Sequence, residues 1–318
     1  MKKIISFAVS LIILGILYWK TDVSQLMTVL QNCDWLWLTL SMSLIAPITI
    51  LNAWRLQQLI PMPYQMKFGQ VYQLILIANS LNMVLPSKMG DVAKAYFIKE
   101  QGHIDGCLSL CLIIFEKLCD MLSVLICCGF GLFFYDTKSQ VLEGVSIFIF
   151  LAILGGFVIL FSAELMPTID RTLKINYPRL HQKSKNLIKS WRTLNHYIWH
   201  NKIIFGKIIL TSLIISFLNF LQIWLLIIAL NAWTPFLISL ALTPLAILAG
   251  LLPFTFAGIG TRDAAFIMLY QPFFNTPTGA ALGLLCTSRY LLPAIMGLPF
   301  LGRSLSFIQQ KPHYQKEL

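Results

Sequence analysis

Charge is scarce in this sequence. Only 12% of its 318 residues are Asp, Glu, Lys or Arg, against about 25% in a soluble domain. Acids are scarcer than bases: 13 Asp and Glu face 24 Lys and Arg, a formal net charge of +11. With 57% hydrophobic residues and a mean hydropathy of +0.75, the shortage of charge excludes an ordinary water-soluble globule. It indicates an all-α polytopic membrane protein. The bases sit in a few hydrophilic stretches between apolar runs. That distribution fits anionic lipid headgroups on the cytoplasmic side and argues against a nucleic-acid partner.

Metal-binding and catalytic signatures are also missing. Cys107, Cys111, Cys119, Cys127, Cys128 and Cys286 lie in apolar runs, with neither zinc spacing nor a secreted disulfide framework. They read as packing residues. His196 and His200 are four residues apart, a spacing that can bind metal, but no acid or further His or Cys lies nearby. No metal and no other cofactor is expected. There is no Asp-rich repeat, nucleophile elbow or P-loop, and the first outer loop offers only Asp22 and Asp34. An enzyme is therefore not expected. A cleavage site is missing as well: the run Ile4 to Trp19 ends in Tyr18-Trp19-Lys20. That ending resembles an interfacial anchor, so the run reads as a retained first span, not a signal peptide.

What is present is a series of long apolar runs. Six are long enough to cross a bilayer, at roughly 20 residues each: Ile4 to Trp19, Trp35 to Ala53, Cys107 to Tyr135, Val145 to Ala163, Ile203 to Leu230 and Gly279 to Leu301. Two more are interrupted. Phe68 to Ile98 breaks at Pro86 to Asp91, and Pro235 to Phe274 breaks at Pro253 to Asp263. Both breaks read Leu-Pro, a short segment, Gly, then Asp opening an apolar helix. Residues 1–318 are read as one integral membrane domain with a basic connector at about 164–202.

Lys and Arg bias sets the orientation. Lys2 and Lys3 place the N-terminus inside. Arg55 and Lys67 flank an inner loop. The connector carries Arg171, Lys174, Arg179, Lys183, Lys185, Lys189, Arg192 and Lys202 with no acid from Arg171 on, so it is inside, and so is the tail with Arg303, Lys311 and Lys316. Each interrupted region must then enter and leave on one face, as a re-entrant hairpin or a pair of crossings. The two would dip in from opposite faces, as an inverted repeat produces. Within the connector, Leu187, Trp191, Leu194 and Ile198 recur at helical spacing, which predicts a basic amphipathic helix on the inner leaflet.

Charges inside the spans are the candidate site, because each costs ~2.5–3.5 kcal/mol to insert. Lys88, Asp91 and Lys94 lie at the first break, where Asp91 can cap the following helix. Glu116, Lys117 and Asp120 lie in the third full span, with Glu116 and Asp120 on one face. Arg262 and Asp263 occupy the second break, and Arg289 lies near the centre of the last span. A structural alternative pairs Glu116 or Asp120 with Arg289 or Lys88 to hold the bundle. The functional reading uses the cations and helix N-termini to bind a phosphate headgroup. It sets Lys88, Asp91, Lys94, Glu116, Asp120, Arg262, Asp263 and Arg289 along a substrate-binding route.

At these residues the chain resembles the transmembrane domain of lysylphosphatidylglycerol synthases and related stand-alone flippase-like proteins. The matching pieces are Asn82…Leu85-Pro86-x-Lys88-x-Gly90-Asp91…Lys94, then Phe115-Glu116-Lys117-Leu118-Cys119-Asp120, then Pro253…Gly258-Ile259-Gly260-Thr261-Arg262-Asp263. Asp91 and Asp263 stand where the family has Glu, Lys117 where it has Arg, and Ala257 where it has Gly. The resemblance implies a domain of the bacterial cytoplasmic membrane that moves a phospholipid or lipid-linked substrate between leaflets. No aminoacyl-transferring domain follows Arg303, so lysyl transfer is not expected of this chain. The rival readings are a membrane-embedded transferase on a lipid-linked substrate and a non-transporting partner of a separate enzyme.

Overall fold

The computed structural model describes residues 23–64, 66–85, 89–134, 140–160, 178–251 and 260–314. Side chains 23, 84, 140–142, 178–184 and 303–314 fall outside the description. The expected first span Ile4 to Trp19, Lys88 at the first break, and most of the second break also lie outside the described residues.

Every regular element among the described residues is helical. In chain order they are α1 (Val23–Gln31), α2 (Trp35–Ser43), α3 (Ile45–Leu59), α4 (Phe68–Val84), α5 (Gly90–Gly102), α6 (Gly106–Phe134), α7 (Gln140–Leu160), α8 (Pro178–His200), α9 (Lys202–Ala229), α10 (Phe236–Leu251), α11 (Thr261–Leu269) and α12 (Thr276–Tyr314). Local chemistry starts them where polar residues meet apolar runs. Asp34 accepts a hydrogen bond from the Leu36 N–H at 2.8 Å ahead of α2, and Asn201 accepts one from the Ile204 N–H at 3.2 Å ahead of α9. Each satisfies a donor that the first helical turn leaves open.

Four segments are long and apolar enough to cross a membrane: Trp35–Leu59, Glu143–Leu160, Lys202–Ala229 and Thr276–Gly302. The chain is a multi-pass α-helical membrane protein. The first of these segments extends beyond the Ala53 limit drawn from sequence and takes in Arg55. The 29-residue α6 is also long enough, at about 43 Å, although three charges interrupt its apolar character. The large side chains left uncovered on α7, among them Phe148, Phe150 and Leu151, are what a lipid-facing surface requires.

Both interrupted regions fold back on themselves. α4 packs on α5, and α10 packs on α11. With 13 and 9 residues, α5 and α11 span about 20 and 14 Å, short of the ~30 Å hydrocarbon core. Each break therefore gives a helical hairpin with one short arm.

The two hairpins are embedded in reciprocal surroundings. α5 packs on the next helix, α6, and α11 packs on the next helix, α12. Across the molecule α4 packs on α12 and α10 packs on α6. Even the close contacts correspond. A Cβ at Gly297 of α12 would collide with the Leu76 carbonyl of α4, and one at Gly131 of α6 would collide with the backbone of Leu240 and Ala241 in α10. At both crossings glycine lets two backbones touch, the small-residue packing of membrane helices. Ser80 of α4 hydrogen-bonds the Ala294 carbonyl at one crossing, and Cys128 of α6 reaches the Ala241 carbonyl at 3.5 Å at the other. This cross-matched order is the one a pair of twofold-related units gives.

Each hairpin has its own apolar core. The first gathers Leu56, Leu74, Ile98, Phe115 and their neighbours. The second gathers Leu226, Ala246, Phe266 and Ala281. α9 belongs to both: Ile208 near its start enters the first core, and Ile223 to Leu230 enter the second. The apolar stripe of α8 behaves differently from expectation. Leu187, Trp191, Leu194 and Ile198 pack into the first core, with Trp191 against Phe115 at 6.3 Å. The protein interior, not the inner leaflet, takes this face, because α6 and α9 offer it a complementary apolar surface.

Candidate functional site

The first charged cluster is built by α3, α5 and α6. Glu116 and Asp120 project from one face of α6, as the four-residue spacing dictates. Between them lies the Arg55 guanidinium from α3, with no exposure at all. It donates to Glu116 Oε1 at 3.2 Å and to Asp120 Oδ1, and its remaining bonds reach Ser212 Oγ at 2.8 Å and Asn52 Oδ1 at 3.3 Å. Lys94 of α5 donates to the other Glu116 oxygen at 2.7 Å. Lys117 lies 3.2 Å from Asp91 and 3.4 Å from Asp120. Arg55, Lys94 and Lys117 thus face Asp91, Glu116 and Asp120, so the described members of the cluster balance in charge. Neutrality is what makes so many buried charges tolerable in a low-dielectric interior.

One expectation changes here. Arg55 was placed at the edge of an inner loop, yet it sits at the centre of the cluster, because the helix carrying it continues to Leu59. Asp91 lies in the first turn of α5, where a carboxylate suits the helix N-terminus, and it also pairs with Lys117 and Lys94.

The second cluster is built by α9, α11 and α12. Asp263 accepts from the Gly260 N–H at 3.1 Å, so it does cap its helix. Its other oxygen takes two bonds from Arg262, from Nε at 3.2 Å and Nη2 at 2.9 Å. Arg262 Nη2 continues to the Gly283 carbonyl at 3.2 Å and Thr287 Oγ1 at 2.7 Å. The carboxylate approaches α12 so closely that a Cβ at Gly283 would lie 2.7 Å from it.

Arg289, also on α12, is buried with only 5% exposure. Its Nη1 donates to Gln222 Oε1 at 3.1 Å and the Asn219 carbonyl at 3.3 Å, and its Nη2 donates to Tyr290 Oη at 2.7 Å. Glu116 and Asp120 are satisfied elsewhere, so the alternative pairing of either with Arg289 is not what the fold adopts. Among the described residues Asp263 is the one carboxylate that Arg262 and Arg289 face, which leaves this described cluster with one excess positive charge.

α9 connects the clusters. Its Ser212 touches Arg55, and its Asn219 and Gln222 hold Arg289. Thr211, Ser212, Ser216, Asn219 and Gln222 occupy an arc of about 140° on an otherwise apolar helix, and Ser212 and Gln222 are about 15 Å apart along it. Sequence reading by ionisable groups passes over this stripe, although its one-sided spacing within an apolar run was available as a signal. Lys94, Glu116 and Asp120 are brought together as a set, with Asp91 joining through Lys117. Arg262, Asp263 and Arg289 form a separate set.

The lysylphosphatidylglycerol synthase transmembrane region matches residues 3–297. The chain belongs to that family. Among curated proteins, the family member is similar to a UPF0104 membrane protein of Methanocaldococcus jannaschii, 24% identical over 250 residues that cover 74% of each chain. No solved structure matches it.

Proposed function

We propose that this family member moves a phospholipid or lipid-linked headgroup between the leaflets of the cytoplasmic membrane. The observation that supports it best is the buried polar path: two charged clusters, one on each hairpin, connected by the one-sided polar stripe of α9. A bilayer-spanning bundle that only needed stability would pack this surface with apolar residues, since buried ion pairs rarely outdo them. A headgroup crossing the core needs polar partners at successive depths, and the stripe provides them. In this reading Arg262 and Arg289 meet the phosphate. Lys94, Glu116 and Asp120, with Arg55, form an ion-pair network that rearranges as the hairpins shift. The Lys and Arg bias of the loops supports a cytoplasmic side for both termini. The reaction is movement, without bond chemistry on the lipid.

Proteoliposomes containing the purified protein and a fluorescent phospholipid test the proposal. Dithionite should quench inner-leaflet probe with the wild-type protein and leave it protected with Arg289→Gln or Glu116→Gln at equal insertion. Wild-type exchange by both variants would rule the proposal out.

One observation favours a second reading. Lys185, Lys189, Arg192 and His196 recur along the exposed side of α8, a surface suited to an acidic partner enzyme. Co-purification of such an enzyme with a chain that exchanges no lipid would favour this role.

A further inference from the structure

Two arginines in one cluster are satisfied in different ways. A guanidinium presents its side edge, Nε and Nη2, as a parallel pair of donors that fits two oxygens of a carboxylate or phosphate. Arg262 uses this edge fully: both donors fall on Asp263. On Arg289 the same edge is only half used. Among the described residues Nε has no hydrogen-bond partner although the residue is 5% exposed, and Nη2 donates to the phenol of Tyr290. Its charge is balanced by neutral dipoles from Gln222 and Asn219, and no described carboxylate pairs with it. An uncompensated buried cation is expensive to keep.

Tyr290 explains how the edge is reached. Its ring lies 4.8 Å from the Arg289 guanidinium carbon and 5.9 Å from that of Arg262. The residue is 36% exposed, and Leu291 and Leu292 beside it are each 46% exposed, as on a surface turned to lipid. The same aromatic ring thus lies beside both guanidinium groups.

We propose that Arg289, screened by Tyr290 and flanked by Arg262, is a phosphate-ester binding site that opens sideways to the bilayer. An incoming phosphate takes Nε and Nη2 together, and Tyr290 gives up its bond and swings aside. The anion brings the missing negative charge, so the cluster becomes neutral only when occupied. The chemistry is shared by a lipid headgroup and free phosphate. A lipid source follows from the translocase reading, whereas the anion site itself does not depend on it.

Binding to the detergent-solubilised protein tests this without transport. Phosphatidylglycerol, diacylglycerol and inorganic phosphate are titrated by native mass spectrometry, with thermal midpoints recorded for every variant. Phosphatidylglycerol should bind at least about tenfold tighter than diacylglycerol, as loss of two charge-assisted bonds implies. Arg289→Gln should erase that preference while remaining folded, Arg289→Lys should weaken it for want of the paired edge, and Tyr290→Phe should strengthen it by freeing Nη2. Equal phosphatidylglycerol binding by wild type and a folded Arg289→Gln would overturn the site. Inorganic phosphate binding as tightly as phosphatidylglycerol, and lost in Arg289→Gln, would keep the anion site and sink the lipid source.

Discussion

Arg55 and Glu116 are 61 residues apart in sequence and 3.2 Å apart in the fold, both almost completely buried. The same guanidinium holds Asp120, so one side chain from α3 bridges two carboxylates of α6. Removing it leaves the buried Glu116 with Lys94, and the part-exposed Asp120 with Lys117. Arg55→Gln is expected to destabilise the folded protein by about 3–5 kcal/mol. Adding Glu116→Gln should restore part of the loss, with a coupling of roughly 0.5–3 kcal/mol. Unfolding by denaturing detergent, followed by circular dichroism, measures both.

Arg289 should respond with the opposite sign. No carboxylate is stranded when it is neutralised, because Asp263 belongs to Arg262. Arg289→Gln is therefore expected to leave stability unchanged or raise it while abolishing lipid exchange. A loss comparable to that of Arg55→Gln would show that Arg289 is a structural ion after all.

The two glycine crossings should be matched in sensitivity. At Gly131 and Gly297 an added methyl meets backbone, which cannot swing aside. Alanine at either position should cost about 1–3 kcal/mol through overpacking. Gly206, in α9, has nothing within 4 Å of an added Cβ. There alanine should be neutral or gain up to about 1 kcal/mol from helix propensity. Thermal midpoints of the three variants in one detergent make the comparison.

The placement of α8 separates packing from lipid contact. Leu194 is completely buried, so Leu194→Ala should cost about 2–5 kcal/mol. Lys189, on the exposed side, should change stability by less than about 0.5 kcal/mol when replaced by Ala. A helix lying on the leaflet would reverse this pattern: Leu194→Ala would be mild, and Lys189→Ala would weaken vesicle attachment.

Much of the architecture was legible in the residue order. Hydropathy marks Ile203 to Leu230 and Gly279 to Leu301 as spans, close to the segments Lys202–Ala229 and Thr276–Gly302 of the fold, and Pro with Gly marks where α4 yields to α5. The four-residue spacing of Glu116 and Asp120 put both on one face before any coordinates. Arg55 was not legible, since a charge at the end of an apolar run looks the same whether the helix stops there or continues inward. The polar stripe of α9 was missed because Ser, Asn and Gln carry no charge to flag them.

By itself the sequence determined that this is a helical membrane protein with two broken apolar regions and a small set of intramembrane charges. Those follow from local quantities: hydropathy, helix-breaking residues and residue type. Only the tertiary structure decided how the charges divide. Glu116 pairs with Arg55 and Lys94, and Asp263 pairs with Arg262. Arg289, held by Gln222, Asn219 and Tyr290, retains a partly open edge. Pairing depends on which helices cross and at what depth, and no periodicity along one chain encodes that.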